Sequence, residues 1–86
     1  MNLNMDDDSS LVLREIYCAT KDDDSSWISH KNLYNCCFKY RNIDYFNEFN
    51  QAIRNLLAYN LIVKNGYDNP DFRISSEGIE YIEKTC

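Results

Sequence analysis

The fold is decided by the twenty residues NLIVKNGYDNPDFRISSEGI, which run from Asn60 to Ile79. Asparagine readily adopts the left-handed conformation found just after a helix, so Asn60 predicts that a helix ends there. Residues 61–64 and 72–74 are rich in β-branched and aromatic side chains, which predicts two strands. The NGYDNPD segment between them contains Asn-Gly and Asn-Pro and predicts a turn too long for the tightest hairpin. The stretch therefore predicts a helix that leads into a β-hairpin.

A long helix is expected before this hairpin and a short one after it. Asp44 can cap the long helix, over roughly residues 45–59, and Ser75 or Ser76 can cap the short one. At 100° per residue, the apolar side chains of the long helix fall on one arc about 100° wide, and the polar ones lie opposite. The apolar arc contains Phe46, Phe49, Ile53, Leu56, Leu57 and Asn60, and the opposite side contains Asp44, Asn47, Gln51, Arg54, Asn55 and Ala58.

The N-terminal half predicts two further helices. Residues 1–8 are polar and acidic, and we expect them to form a disordered lead to a single domain that covers residues 9–86. Ser9 or Ser10 can cap a first helix over about residues 11–20. After a solvated loop, Trp27–Ser29 predicts a short extended piece, and Ser29 can cap a second helix over about residues 30–38.

The negative charge is concentrated at the N-terminus. The whole chain has 86 residues and a formal net charge of −5. Residues 1–24 contain seven acidic and two basic side chains, whereas residues 28–64 contain five basic and two acidic ones. The acidity of the whole chain is therefore only a weak argument against a nucleic-acid partner, because the local charge at the docking face matters more.

Cysteine and histidine usage argues against an enzyme or a metal site. The four cysteines contain no C-x-x-C pair, and a zinc site would have to recruit His30 with Cys36 or Cys37. Free thiols in a reducing compartment are the simpler interpretation. The sequence has one histidine and neither a Gly-rich phosphate loop nor a G-x-S-x-G motif, which predicts a protein that is not an enzyme and uses no metal or cofactor. With no signal-peptide pattern and no apolar run of about 18–20 residues, we expect a cytoplasmic protein without a membrane partner.

The order of the predicted elements resembles the winged helix-turn-helix superfamily, an α+β fold with a three-helix core, a β-hairpin wing and, here, a short C-terminal helix. The residues that carry the resemblance are Ala52-Ile53, Leu56-Leu57 and Asn60-Leu-Ile62, then Phe72-Arg-Ile-Ser75 and Glu77-Gly78 after the wing. The resemblance covers about residues 10–84. It implies a small DNA-binding transcriptional regulator of microbial or phage type, in which the third helix enters the major groove and the hairpin flanks the backbone.

The polar side of the third helix has side chains suited to reading DNA bases. Asn47 and Gln51 can pair with adenine, and Arg54 can pair with guanine. Six further side chains are candidates for phosphate contacts, which add affinity without sequence information. These are His30, Lys31, Lys39, Arg41, Lys64 and Arg73.

A second interpretation is an acidic winged-helix module that binds a protein and no DNA. The wing tip holds Asp68 and Asp71 and no basic residue, and Arg54 is the only cation of the third helix. Tyr40, Tyr59 and Tyr67 are candidate surface aromatics for such an interface. A homodimer built on the first or last helix is a further arrangement, since half-site recognition generally needs two-fold symmetry.

Overall fold

Four helices and three strands make up the part of the chain that the structure, a computed structural model, describes: residues 5–23, 25–41, 48–68 and 70–85. The helices are α1 (Asp7–Thr20), α2 (His30–Arg41), α3 (Asn50–Ala58) and α4 (Ser76–Thr85). The strands are β1 (Ile28–Ser29), β2 (Ile62–Asn65) and β3 (Asp71–Ile74). The chain is thus a small α+β domain, as predicted.

The three strands form one antiparallel sheet in the order β1-β3-β2. β3 lies in the centre, where Ile28 is opposite Phe72 on one side and Ile62 is opposite Ile74 on the other. Successive side chains of a strand point to opposite faces. Ile62, Phe72 and Ile74 therefore share the face that is buried, and the helices cover it.

The hydrophobic core lies between α1, α2, α3 and this sheet face. α1 and α3 each contribute a helical stripe of side chains at spacings of three and four residues, the pattern that places them on one side of a helix. The most deeply buried core side chains, with no more than 2 % exposure, are Val12, Leu13, Ile16, Leu33, Cys37, Phe49, Ala52, Leu56, Phe72 and Ile74.

α1 begins four residues before its predicted start. The Asp6 side chain accepts a hydrogen bond from the Ser9 backbone N–H at 2.9 Å and caps the helix, whereas Ser9 itself is buried. Asp7 and Asp8 lie in the first turn, where the helix dipole favours negative charge. The prediction that residues 5–8 are a disordered lead is therefore wrong, and residues 1–4 lie outside the described residues.

Other helix ends follow local signals in the sequence. Asn60 has a φ of 60° after α3, and Gly66 has a φ of 94° in the predicted turn. Ser75 Oγ accepts from the Gly78 N–H at 3.0 Å, and Ser29 Oγ accepts from the Asn32 N–H at 3.2 Å, so both predicted caps are confirmed. α2 extends to Arg41 rather than 38.

The predicted start of α3 near residue 45 lies outside the described residues. The helix is described from Asn50 to Ala58; Phe49, just before it, has helical dihedral angles and makes no side-chain capping hydrogen bond. The predicted cap, Asp44, lies in the 42–47 segment outside the described residues. Phe49 is fully buried and belongs to the hydrophobic core.

Two close contacts hold the sheet against the helices. Thr20, at the end of α1, is buried, and its hydroxyl donates to the Ile16 carbonyl at 2.8 Å and accepts from the Ile74 N–H at 2.9 Å. On α4, Gly78 packs so closely against Leu61 that a Cβ atom added to the glycine would lie 2.1 Å from the Leu61 carbonyl oxygen. The Thr20 hydroxyl thus satisfies the Ile74 N–H of the central strand. The close approach of Gly78 to Leu61 fixes α4 against the start of β2.

Candidate nucleic-acid interface

The outward side of α3 carries two of the predicted base-reading residues. Gln51 and Arg54 are both exposed, because Ala52 and Leu56 occupy the buried side of the same helix. The helical periodicity of the sequence predicted this exposure correctly. Asn47, the third residue of the predicted stripe, lies outside the described residues.

The amides of α3 are connected to the start of α1. Gln51 Nε2 donates to Asn55 Oδ1 at 3.0 Å, and Asn55 Nδ2 donates to Ser9 Oγ at 3.4 Å. Ser9 lies in the first turn of α1, directly after Asp6–Asp8. One flank of the predicted reading face is therefore acidic. Sequence reasoning missed this because Ser9 and Asn55 are 46 positions apart.

The basic residues of α2 lie on one stripe of that helix. Lys31 and Lys39 are both exposed, and their separation of eight positions places them about 80° apart around the helix axis. Both are thus accessible to a phosphate group. The side chain of Arg41 lies outside the described part of the chain.

His30, a candidate for a phosphate contact, lies against the core. Its ring centroid is 5.1 Å from that of Phe49, edge-on, and 6.1 Å from that of Phe72. Its backbone N–H donates to the Pro70 carbonyl at 2.9 Å. The side chain is half-buried. Packing against two core aromatic rings gives His30 a structural role, and a phosphate contact there stays a prediction.

The two basic residues of the hairpin lie on opposite faces of the sheet. Lys64 is paired with Phe72, and Arg73 is paired with Val63, so the alternation along each strand separates their side chains. Lys64 is exposed, with Nζ 5.2 Å from the centroid of the Tyr67 ring. The structure therefore does not bring these two predicted phosphate contacts together.

Arg73 is half-buried on the other face. Its guanidinium carbon lies 5.7 Å from the centroid of the Trp27 ring. Nearby, the pKa of Asp23 is lowered, chiefly by a hydrogen bond from the Ser25 backbone N–H at 2.9 Å and to a smaller extent by the charge of Arg73. Arg73 thus has an aromatic ring and an acidic group beside it before any ligand is bound.

The cysteines differ in how deeply they are buried. Cys37 is fully buried, and this burial raises the pKa of its thiol to about 12, with Glu15 and Cys36 adding smaller contributions. Such a thiol is unreactive at neutral pH, because the thiolate is the nucleophile. Cys18 is exposed on α1. Among the described residues, no three His, Cys, Asp or Glu side chains converge in a way that could hold a metal ion.

Comparisons with protein-family models, with curated proteins and with solved structures returned no match. In the described ranges, no helix has the length and apolar character needed to cross a membrane.

Proposed function

We propose that this chain is a winged-helix DNA-binding protein, in which α3 enters the major groove. The antiparallel sheet in the order β1-β3-β2, and the helices packed on one of its faces, are compatible with that fold. In this arrangement β2 and β3 form the wing beside the DNA backbone. The protein would act as a small transcriptional regulator.

The observation that carries the proposal is the exposure of Gln51 and Arg54 on one side of α3. Both side chains are long enough to reach base edges, and both can make bidentate contacts with purines, Arg54 through two donors and Gln51 through one donor and one acceptor. The hydrogen bond from Gln51 to Asn55 occupies one amide donor and is exposed, so its exchange for a base contact costs little. The remaining amide N–H and the carbonyl of Gln51 suit adenine.

Affinity in this arrangement would come from Lys31 and Lys39 on α2 and from Lys64 on β2, all exposed. Each phosphate neutralised by such a side chain releases counterions from the DNA, so binding should weaken steeply as salt rises. Asp68, exposed at the wing tip, opposes this attraction. We therefore expect modest affinity and few phosphate contacts.

The test is a titration of duplex DNA across a salt series, after selection of preferred sequences from a random pool. We expect Arg54→Ala to remove most of the preference between selected and random duplex, about 1–3 kcal/mol, because a bidentate Arg–guanine contact is worth that much. Bulk binding to random duplex should fall less. The measurement is the ratio of the two dissociation constants for each variant.

Arg14→Ala is the matched control, since it removes the same charge from an exposed position on α1 beside Tyr81 and Ile82. It should leave the preference ratio unchanged. If Arg54→Ala also leaves the ratio unchanged, α3 does not read the bases. If the wild-type chain binds no duplex at low salt, the proposal fails.

A second candidate function is binding to a basic protein surface. The observation that favours it is the acidic flank of α3, where Asp6–Asp8 are joined to the helix through Ser9 and Asn55. Like charges repel a phosphate backbone, whereas they attract Lys- and Arg-rich surfaces. The same salt titration separates the two functions, because this candidate requires no affinity for DNA.

A further inference from the structure

A groove of about 780 Å³ runs between the chain segment 58–63 and one side of α4. Its first wall follows the end of α3 and the start of β2, and its second wall is helical. Residues that line it include Tyr59, Leu61, Val63, Glu77, Tyr81 and Lys84. None of these residues belongs to the DNA-reading face proposed above.

The first wall exposes apolar side chains at an open strand edge. Tyr59 is 38 % exposed and Val63 is 42 % exposed, high values for large apolar side chains in a small domain. β2 is an outer strand: within the described residues, only β3 lies beside it. An exposed edge with apolar side chains is a surface that proteins usually cover or pair.

The charged side chains of the second wall, on α4, are placed so that they match those of an identical helix lying antiparallel to it. Glu77, Tyr81 and Lys84 fall within about 60° of one another around α4, so they form one stripe with an acid at its start and a base at its end. Glu80 flanks the stripe, and its Oε1 lies 2.6 Å from Lys84 Nζ. When two such helices lie antiparallel, Lys84 of each copy faces Glu77 of the other, and the two Tyr81 rings meet in the middle.

We propose that this groove is a self-association surface, occupied by a second copy of the chain with the two α4 helices antiparallel across a two-fold axis. A two-fold interface uses the same patch on both copies and must be complementary to itself, which this stripe is. The chain as a whole carries −5, whereas the charged residues that line the groove, Glu77, Glu80 and Lys84, sum to −1, so two copies meet there with less repulsion than the whole-chain charge implies. The proposal does not depend on DNA binding.

The experiment measures association by sedimentation equilibrium, from about 1 µM to about 1 mM chain, a range that covers weak to moderate affinity. A reducing agent keeps disulfides from contributing. We expect wild-type dimers. Lys84→Glu places a carboxylate opposite Glu77 of the second copy at two symmetric sites and should weaken dimerisation at least about tenfold. Glu77→Lys should have a similar effect.

The double variant, Glu77→Lys with Lys84→Glu, restores opposite charges across the axis and should return the dimerisation constant to within about threefold of wild type. Both Lys84→Glu and the double variant lose the Glu80–Lys84 ion pair within one copy, so that loss cannot explain a rescue. Thermal unfolding identifies any variant that fails to fold. Lys31→Glu is the matched control, with the same charge change at an exposed position on α2, and should dimerise as wild type does.

A wild-type chain that stays monomeric over the whole range overturns the proposal. So does a dimer that is unaffected by Lys84→Glu, or a folded double variant that does not regain association. Because none of these three outcomes involves DNA, failure here leaves the DNA-binding proposal standing, and the reverse is also true.

Discussion

The base of the β2–β3 hairpin and its tip differ in their exposure to solvent and in the contacts that they make. At the base, which comprises residues 61–62 and 74–75, Ile62 is 4 % exposed and Ile74 is 2 % exposed. At the tip, residues 64–68 are all exposed, and Tyr67 is 91 % exposed. The two ends belong to one hairpin, yet one is part of the core and the other is surrounded by solvent. The core therefore fixes where the hairpin starts, while the tip is available for contacts with a partner.

Specific contacts hold the base of the hairpin against its neighbours. The Ser75 N–H donates to the Leu61 carbonyl at 3.1 Å, and Ser75 Oγ donates to the Asn60 carbonyl at 2.7 Å. Thr20 reaches the same region from α1, and Gly78 reaches it from α4. The Thr20 contact satisfies a buried N–H, and the close approach of Gly78 leaves no space between α4 and Leu61, and both effects stabilise a small domain.

The largest effect on the base is expected from Gly78→Ala. The added Cβ would lie 2.1 Å from the Leu61 carbonyl oxygen and 2.6 Å from Ile74 Cδ1. The Ile74 side chain can move, but the carbonyl belongs to the backbone, so α4 has to shift away from the sheet. We expect the free energy of unfolding to fall by about 3 kcal/mol, well beyond the roughly 1 kcal/mol that alanine adds in helix propensity. Urea denaturation measures this change.

Ser76→Ala is a suitable control for that measurement, because Ser76 is exposed in the same turn of α4. Its effect should stay within about 0.5 kcal/mol. A Gly78→Ala variant as stable as wild type would mean that α4 does not dock on Leu61 in solution.

A smaller effect is expected from Thr20→Val, which replaces the hydroxyl with a methyl group of similar size. The Ile74 N–H then loses its acceptor inside the core, at a cost of about 1–3 kcal/mol. Thr20→Ser is the paired variant: it keeps the hydroxyl and removes one methyl group, which costs about 1 kcal/mol. Chemical denaturation should rank the three chains as wild type, Thr20→Ser, Thr20→Val. A more stable Thr20→Val would show that the hydroxyl is unimportant.

The sequence predicted the features of this hairpin that depend on neighbouring residues. Asn60 at positive φ and the Ser75 cap both follow from conformational preferences that act over three or four positions. It did not predict Asp6 as a cap, since the serines that follow are equally good caps by type. It also gave no sign of the Thr20–Ile74 hydrogen bond, which joins residues 54 positions apart.

The candidate interface likewise contains features that the sequence predicted and features that it did not. Helical periodicity predicted the exposure of Gln51 and Arg54, because that property depends only on the residues of α3. The position of His30 against Phe49 and Phe72 depends on how three separate elements pack, and composition does not encode it. The separation of Lys64 from Arg73 depends on strand register. Residue type therefore selected candidates, and packing decided which of them are accessible together.

The smallest effect on stability is expected at the tip, from Tyr67→Ser. The Tyr67 ring is almost fully exposed, and its contact with Lys64 Nζ at 5.2 Å is a surface cation–π pair worth about 0.5–1 kcal/mol at most. Part of that energy is recovered because Lys64 regains side-chain freedom, so the free energy of unfolding should change by less than about 0.5 kcal/mol. Urea denaturation of Tyr67→Ser and of Gly78→Ala under the same conditions compares the two losses of stability directly. A loss above about 1 kcal/mol would show that the tip is held by the fold, and the difference between the two ends of the hairpin would then be one of exposure alone.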